Sequence, residues 1–251
     1  MTGTPALSVS GLTVAFGGIV AVNDVTFVLP VGARHALIGP NGAGKTTFVN
    51  LLTGTLKPTA GTIRIGDEDV TRLDTRSRVK RGLTRTFQIN TLFAGLTPLE
   101  AVSLAIAERD DLAGIWWRRL GGFSAVRDEA EALLSSLRLI EHAQVPTGEL
   151  AYGKQRLLEI ALALAAKPRI LLLDEPAAGI PAGESREVFE VVDALPDDIS
   201  VLFIEHDMQL VFRFARRIVV LTSGSVLAEG SPDEIRRNDD VRAAYLGSTH
   251  V

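Results

Sequence analysis

G-P-N-G-A-G-K-T-T, residues 39–47, reads as a phosphate-binding loop, and the architecture of the chain follows from it. Gly39, Gly44, Lys45 and Thr46 fill the pattern G-x-x-x-x-G-K-[ST]. Glycines let consecutive backbone N–H groups curl around an anion with no side chain in the way. Pro40, Asn41, Gly42, Ala43 and Thr47 complete the nine-residue stretch that would wrap the phosphates. Lys45 adds a point charge for the β- and γ-phosphates, and the Thr46 hydroxyl is placed to ligate Mg²⁺. The flanks agree. R-H-A-L-I at 34–38 reads as a short buried strand, and 45–53 reads as a helix stopped by Gly54. The phosphates would then sit on a positive helix N-terminus. A Gly-rich hairpin turn is the alternative, but it has no need of Lys-Thr between a strand and a helix.

Outward from this loop, 251 residues suffice for one large α/β domain, or for one with a smaller helical lobe. A net charge of −4 argues against a general nucleic-acid binder, which is usually basic. No cysteine is present, so disulfides and thiolate metal sites are excluded. No apolar run approaches the ~20 residues that span a bilayer. The first ten residues lack the charged and apolar regions of a signal peptide, so the chain is expected in the cytosol, meeting a membrane only through a partner.

Segments 7–9, 12–16, 25–29 and 63–65 read as short strands, the first two as antiparallel pieces. The stretch 72–85 carries Arg72, Arg76, Arg78, Lys80, Arg81 and Arg85, which reads as a solvated helix face or as a docking surface for an acidic partner. Residues 84–87 form a strand leading to Gln88. Thr97-Pro98-Leu99-Glu100 is a capping box with proline in the first turn, opening a helix to about Glu108. The stretch 111–123, with Trp116 and Trp117, looks like an irregular insertion, and helices follow at 126–139 and 153–166. The span 88–166 is therefore mostly helical. Strands at 170–173, 201–204, 218–221 and 225–228 alternate with a helix at 182–194, and a second capping box at Ser231–Glu234 starts the C-terminal helices. Strands alternating with helices mean a parallel sheet covered on both faces.

The strand I-L-L-L-D delivers Asp174 at its C-terminal end, where ligands bind in an open α/β sheet. Asp174 can reach a Mg²⁺ shell through water. Glu175 follows directly and is placed to polarise an attacking water as general base. Read alone, two adjacent acids after a strand could equally be a helix start or a surface pair.

Five ordered motifs now stand on the chain: G-P-N-G-A-G-K-T-T (39–47), R-T-F-Q (85–88), L-A-Y-G-K-Q-R (150–156), L-L-L-D-E-P (171–176) and I-E-H-D (204–207). Together they resemble the ATP-binding subunits of ABC transporters, over essentially the whole chain. L-A-Y-G-K-Q-R-x-L-E-I-A, D-E-P-A-A-G, I-E-H-D-M and the ending A-Y-L-G resemble more closely the branched-chain amino acid importers. Of the two ATPases those systems carry, the resemblance is to the one with the longer helical insertion.

The resemblance implies a P-loop NTPase fold of ABC type: a mostly parallel core sheet, an N-terminal antiparallel β region and a helical subdomain. In this single 1–251 domain, 1–87 and 167–251 would form the nucleotide-binding core and 88–166 the helical subdomain. It implies that Gln88 approaches Mg²⁺ and the attacking water and couples the site to a membrane subunit. The signature at 150–156 would complete the opposite subunit's site, with Tyr152 and Gly153 near its γ-phosphate. His206 would contact the γ-phosphate, and Phe16 would stack on adenine, although an apolar core role fits Phe16 nearly as well. The implied cofactors are ATP and Mg²⁺. The implied partners are a second ATPase subunit, identical or paralogous, an integral membrane permease and, indirectly, a solute-binding protein, with no nucleic acid. The chain would be peripheral on the inner face of the membrane. The surface around 89–95, with Leu92 and Phe93 as the candidates, would hold a groove that receives a short helix of the permease, or both side chains would pack inside the lobe.

Three positions depart from the family pattern. Ala151 replaces the common signature serine, Tyr152 a frequent glycine, and Ile180-Pro181 stands where an Asp or Asn is usual. The last puts communication across the dimer in doubt, because proline has no N–H and no carboxamide. Hydrolysis is still expected, since Glu175 and His206 are intact. Other readings are an ATPase for lipopolysaccharide export and a soluble ABC ATPase acting on DNA or the ribosome. A P-loop kinase would lack L-A-Y-G-K-Q-R, and a non-hydrolysing regulator would usually lose Glu175 or His206.

Overall fold

The computed structural model describes residues 3–86, 92–112 and 124–246. In chain order the elements are β1 (Leu7–Phe16), β2 (Ile19–Leu29), β3 (Arg34–Ile38), α1 (Lys45–Thr53), β4 (Ala60–Ile65), β5 (Glu68–Asp69), α2 (Thr75–Val79), β6 (Leu83–Arg85), α3 (Pro98–Arg109), α4 (Ser124–Ser136), α5 (Tyr152–Ala165), β7 (Ile170–Asp174), α6 (Ala182–Asp193), β8 (Ser200–Ile204), α7 (Met208–Phe214), β9 (Arg217–Thr222), β10 (Ser225–Gly230), α8 (Pro232–Arg237) and α9 (Asp239–Leu246). The chain divides into two compact units: 1–85 with 169–175 and 196–251, and 86–168 with 176–195.

The first unit holds two sheets. A four-stranded antiparallel sheet has the order β2-β1-β4-β5. A six-stranded sheet has the order β10-β9-β3-β8-β7-β6; its strands are parallel except β10, which returns antiparallel beside β9. Strands β3, β7 and β8 are buried at every residue, which is why β7 and β8 read as nearly continuous apolar runs instead of alternating ones. Helix α1 buries Phe48, Val49, Leu51 and Leu52 in one core with the inner faces of both sheets, where Phe27 and Phe48 meet edge to face at 6.0 Å. The helix that carries Lys45 is thus anchored in the hydrophobic core of the unit.

The second unit packs α3, α4, α5 and α6. Arg109, at the end of α3, donates to Glu129 of α4 at 2.6 and 3.0 Å and to the Ala165 carbonyl of α5 at 2.9 Å. One guanidinium therefore ties three helices. The capping box at Thr97 and Glu100 is fully formed.

Several elements differ from the sequence reading. Segments 7–9 and 12–16 are one strand, because Gly11 at φ +60° absorbs the register shift against β2 without ending the pairing. Helix α4 stops at Ser136, and Arg138 adopts a left-handed φ of +57° beyond it. The basic stretch 72–85 is not simply a solvated face. Arg78 is 1% exposed and donates to the carbonyls of Leu51, Leu52, Thr71 and Leu73, so it closes the C-terminal end of α1. Most of the 111–123 stretch, including both tryptophans, lies outside the described residues.

Candidate functional site

The phosphate loop leaves β3 at Ile38 and enters α1 at Lys45. Its backbone has little room. A Cβ on Gly39 would sit 2.2 Å from the Leu221 carbonyl oxygen, and one on Gly44, at φ +97°, would sit 2.5 Å from that of Ala21. The Gly224 N–H, in the β9–β10 turn, donates to the Ala43 carbonyl at 3.0 Å and braces the loop from outside. Lys45 Nζ donates to the carbonyls of Gly39 at 2.6 Å and Pro40 at 3.0 Å. Burial pushes the Lys45 ammonium below the usual lysine range, and the carboxylates of Glu175 and Asp174 oppose that shift. Two acids and the loop lysine therefore share one local field.

Asp174 ends β7 and is 2% exposed. Arg85 of β6 donates to Asp174 and, at 2.7 Å, to Asn50 Oδ1 on α1. Glu175 has φ +49°, a left-handed conformation uncommon for a residue with a Cβ and concentrated at functional sites. Its N–H is held by the Ile204 carbonyl at 3.0 Å. The turn swings Glu175 away from Asp174, and its Oε1 lies 2.8 Å from His206 Nε2, just past the end of β8. A cleft of about 510 Å³ brings together Ile19, Lys45, Thr46, Glu175, His206 and Gly224. A larger groove of about 670 Å³ along Lys57–Thr62 and Asp69–Leu73 holds none of the motif residues.

Among the described residues, no group of three or more His, Cys, Asp or Glu converges on a metal position. Mg²⁺ bound together with phosphates needs no such cage, since one or two carboxylates and waters suffice. The buried Asp174 carboxylate and the cleft-lining Thr46 hydroxyl supply the fitting oxygen donors.

Asn41, Gly42, Ala43 and Thr47 line the same cleft as Lys45. Phe16 is 50% exposed at the end of β1, paired with Ile19, and the cleft wall at that end is built from Ile19, Val20 and Ala21. Gln88 lies outside the described residues. Tyr152 and Gly153 open α5 in the second unit. The Gly153 N–H donates to Glu184 Oε2 at 3.0 Å, and the Arg156 guanidinium lies 5.7 Å from the Tyr152 ring centre. Sequence reasoning did not single out Arg85, Asn50 or Tyr245 for this site. The Tyr245 phenol of α9, which burial pushes up to about 12, is in hydrogen-bond contact with the Gly39 backbone. Arg85 stands in R-T-F-Q and Tyr245 in the ending A-Y-L-G, but neither motif assigns its residue to this site, and Asn50 lies in no motif; the fold brings the three to the loop and to Asp174.

Residues 22–178 match the family model of ABC transporters. The chain belongs to the ABC transporter ATP-binding family. Residues 225–251 further match the model described as branched-chain amino acid ATP-binding cassette transporter. The chain is 44% identical to the high-affinity branched-chain amino acid transport ATP-binding protein LivG of Escherichia coli, covering 97% of this chain and 98% of LivG. It is 42% identical to the corresponding protein BraF of Pseudomonas aeruginosa over 97% and 98%. It is 32% identical to the lipopolysaccharide export ATP-binding protein LptB of Escherichia coli over 96% and 97%. Among solved structures it superposes on the ADP conformation of MJ1267, an ATP-binding cassette of an ABC transporter, with TM-score 0.85 and 27% identity over 97% and 99%. The α/β architecture of this family is therefore the one this sequence adopts. Among the described residues, no helix is long and apolar enough to cross a membrane.

Proposed function

We propose that this chain hydrolyses ATP to drive import of branched-chain or closely related amino acids through an integral membrane permease. The observation that carries the hydrolytic part is the Glu175–His206 contact of 2.8 Å in the same cleft as Lys45 and Thr46. Backbone N–H groups of residues 42–46 cradle the phosphates, and Lys45 exchanges its two loop carbonyls for β- and γ-phosphate oxygens. Water attacks the γ-phosphorus, the bond to the bridging oxygen breaks, and its electron pair leaves with the β-phosphate. Glu175 accepts the proton of that water, and His206 holds the Glu175 carboxylate and contacts the γ-phosphate. Thr46, Asp174 and Gln88 would hold Mg²⁺, which would supply positive charge against the phosphate oxygens.

The cassette works as a dimer, with itself or a paralogue, on the inner face of the membrane. Tyr152 and Gly153 serve the partner subunit's ATP; the Gly153 N–H then exchanges Glu184 for phosphate. The 88–166 span carries the motion to the permease. Phe93, 77% exposed, supports a docking role for Leu92 and Phe93. The match of residues 225–251 and the higher identity to LivG than to LptB favour amino acid import over lipopolysaccharide export. The test of nucleotide binding is Lys45→Ala, which removes the loop's ammonium. Calorimetry is expected to show ATP binding by the wild type and none by the variant, and unchanged affinity would reduce 39–47 to a turn.

A further inference from the structure

The chemistry above gives no task to Arg85, although it is the only side chain seen to donate to Asp174 among the described hydrogen bonds. Its place follows from the sheet. β6 runs parallel to β7 with Arg85 opposite Leu172, so a long side chain reaches Asp174 two residues further along the neighbouring strand. One guanidinium nitrogen, Nη2, donates to Asp174 Oδ2, and the other, Nη1, donates to Asn50 Oδ1 at 2.7 Å. Asn50 lies on α1, the helix that begins at Lys45. Asp174 is 2% and Arg85 13% exposed at the side chain, so this pair is shielded from solvent screening. Three elements thus meet on one planar group: the phosphate-loop helix, the strand ending in Asp174, and the strand leading toward Gln88.

We propose that Arg85 is a positioning residue of the nucleotide site: anchored by Asn50, it fixes the Asp174 carboxylate in the orientation that Mg²⁺ and its waters require. This rests on the reading that Asp174 serves Mg²⁺. Arginine suits the task because a rigid fork addresses two acceptors in fixed directions, whereas a lysine ammonium is a point charge on a flexible stem. A carboxylate that acts on a metal through water depends on the groups that orient it. Loss of such outer-shell partners typically weakens metal affinity about 10–100-fold. The anchor also has a geometric consequence. Asn50 and Lys45 share one short helix, so Asp174 is aligned to the phosphate loop itself and not only to its own strand. The purely structural alternative is a guanidinium that merely neutralises a buried acid, and it makes a different prediction.

The experiment is a calorimetric titration of a non-hydrolysable ATP analogue into the full chain, with Mg²⁺ and with EDTA. The quantity read is the gain in affinity that Mg²⁺ brings. It is measured for the wild type, Arg85→Ala, Arg85→Lys and Asn50→Ala, so that the test survives if Arg85→Ala fails to fold. The expected result is a Mg²⁺ gain reduced about tenfold in both Arg85 variants and several-fold in Asn50→Ala, with affinity in EDTA within about twofold of the wild type. A full Mg²⁺ gain in Arg85→Lys would show that charge alone suffices and overturn the positioning role. Equal losses with Mg²⁺ and with EDTA would show a general structural role and overturn it too. A wild type that binds the analogue with no Mg²⁺ gain would remove the underlying reading of Asp174, and this inference with it.

Discussion

Arg78→Ala removes a side chain that a basic surface stretch would be expected to spare without cost. The structure says otherwise. The guanidinium donates to Leu52 at 2.6 Å, Leu51 at 2.7 Å, Thr71 at 2.9 Å and Leu73 at 3.1 Å, all backbone carbonyls. Burial pushes the Arg78 guanidinium down to about 10, so the cation itself is held at some expense. Leu51 keeps a bond from the Gly54 N–H at 3.2 Å, and water entering the vacated space satisfies part of the rest. With about two acceptors left uncompensated, at roughly 1–3 kcal/mol each, the loss is about 3 kcal/mol. For a chain of this size that is a fall of about 6–12 °C in Tm. Arg78→Met, which keeps the packed stem and loses the charge, should fall nearly as far, because the donors and not the methylenes close the end of α1. Thermal unfolding followed by circular dichroism at neutral pH measures both. A Tm for Arg78→Ala within about 2 °C of the wild type would refute the reasoning, since that is the scale of an ordinary surface substitution.

Two further outcomes follow from other parts of the structure. Burial, against the opposing pull of Glu229, pushes the His35 imidazole down to about 4, so the unfolded chain takes up a proton at a higher pH than the folded chain. Stability from this group is complete above about pH 6.5 and drains away as pH falls toward 4, by at most about 3 kcal/mol. His35→Gln should flatten the decline of Tm between pH 6.5 and 4, and an equally steep decline would show that other groups cause it. Leu92→Glu combined with Phe93→Glu should leave the basal ATPase of the isolated subunit largely intact and abolish co-purification with a membrane permease; normal assembly would place the docking surface elsewhere.

How much of this was legible in the sequence depended on the range of the interaction. The phosphate loop, the Gly54 stop and the two capping boxes are local, and the structure has α1 at Lys45–Thr53 and both boxes closed. The buried runs 170–173 and 201–204 announced parallel strands because both of their faces are covered. Residues whose role depends on distant partners were not legible. Arg78 and Arg85 look alike within a basic stretch, yet one caps a helix 26 residues earlier and the other pairs with an acid 89 residues later. The Glu184 bond to Gly153 was equally hidden, since nothing near either residue announces it. Segments 7–9 and 12–16 read as two strands, whereas Gly11 at φ +60° carries one strand through a register shift that no local signal announces.

The central claim is that Glu175 is the base of an ATP hydrolase, and Glu175→Gln tests it most directly. The variant keeps shape and loses only the capacity to accept a proton. Steady-state phosphate release from MgATP, measured beside nucleotide affinity, is predicted to fall about 10²–10⁴-fold with affinity unchanged. Hydrolysis at the wild-type rate by Glu175→Gln would contradict the account.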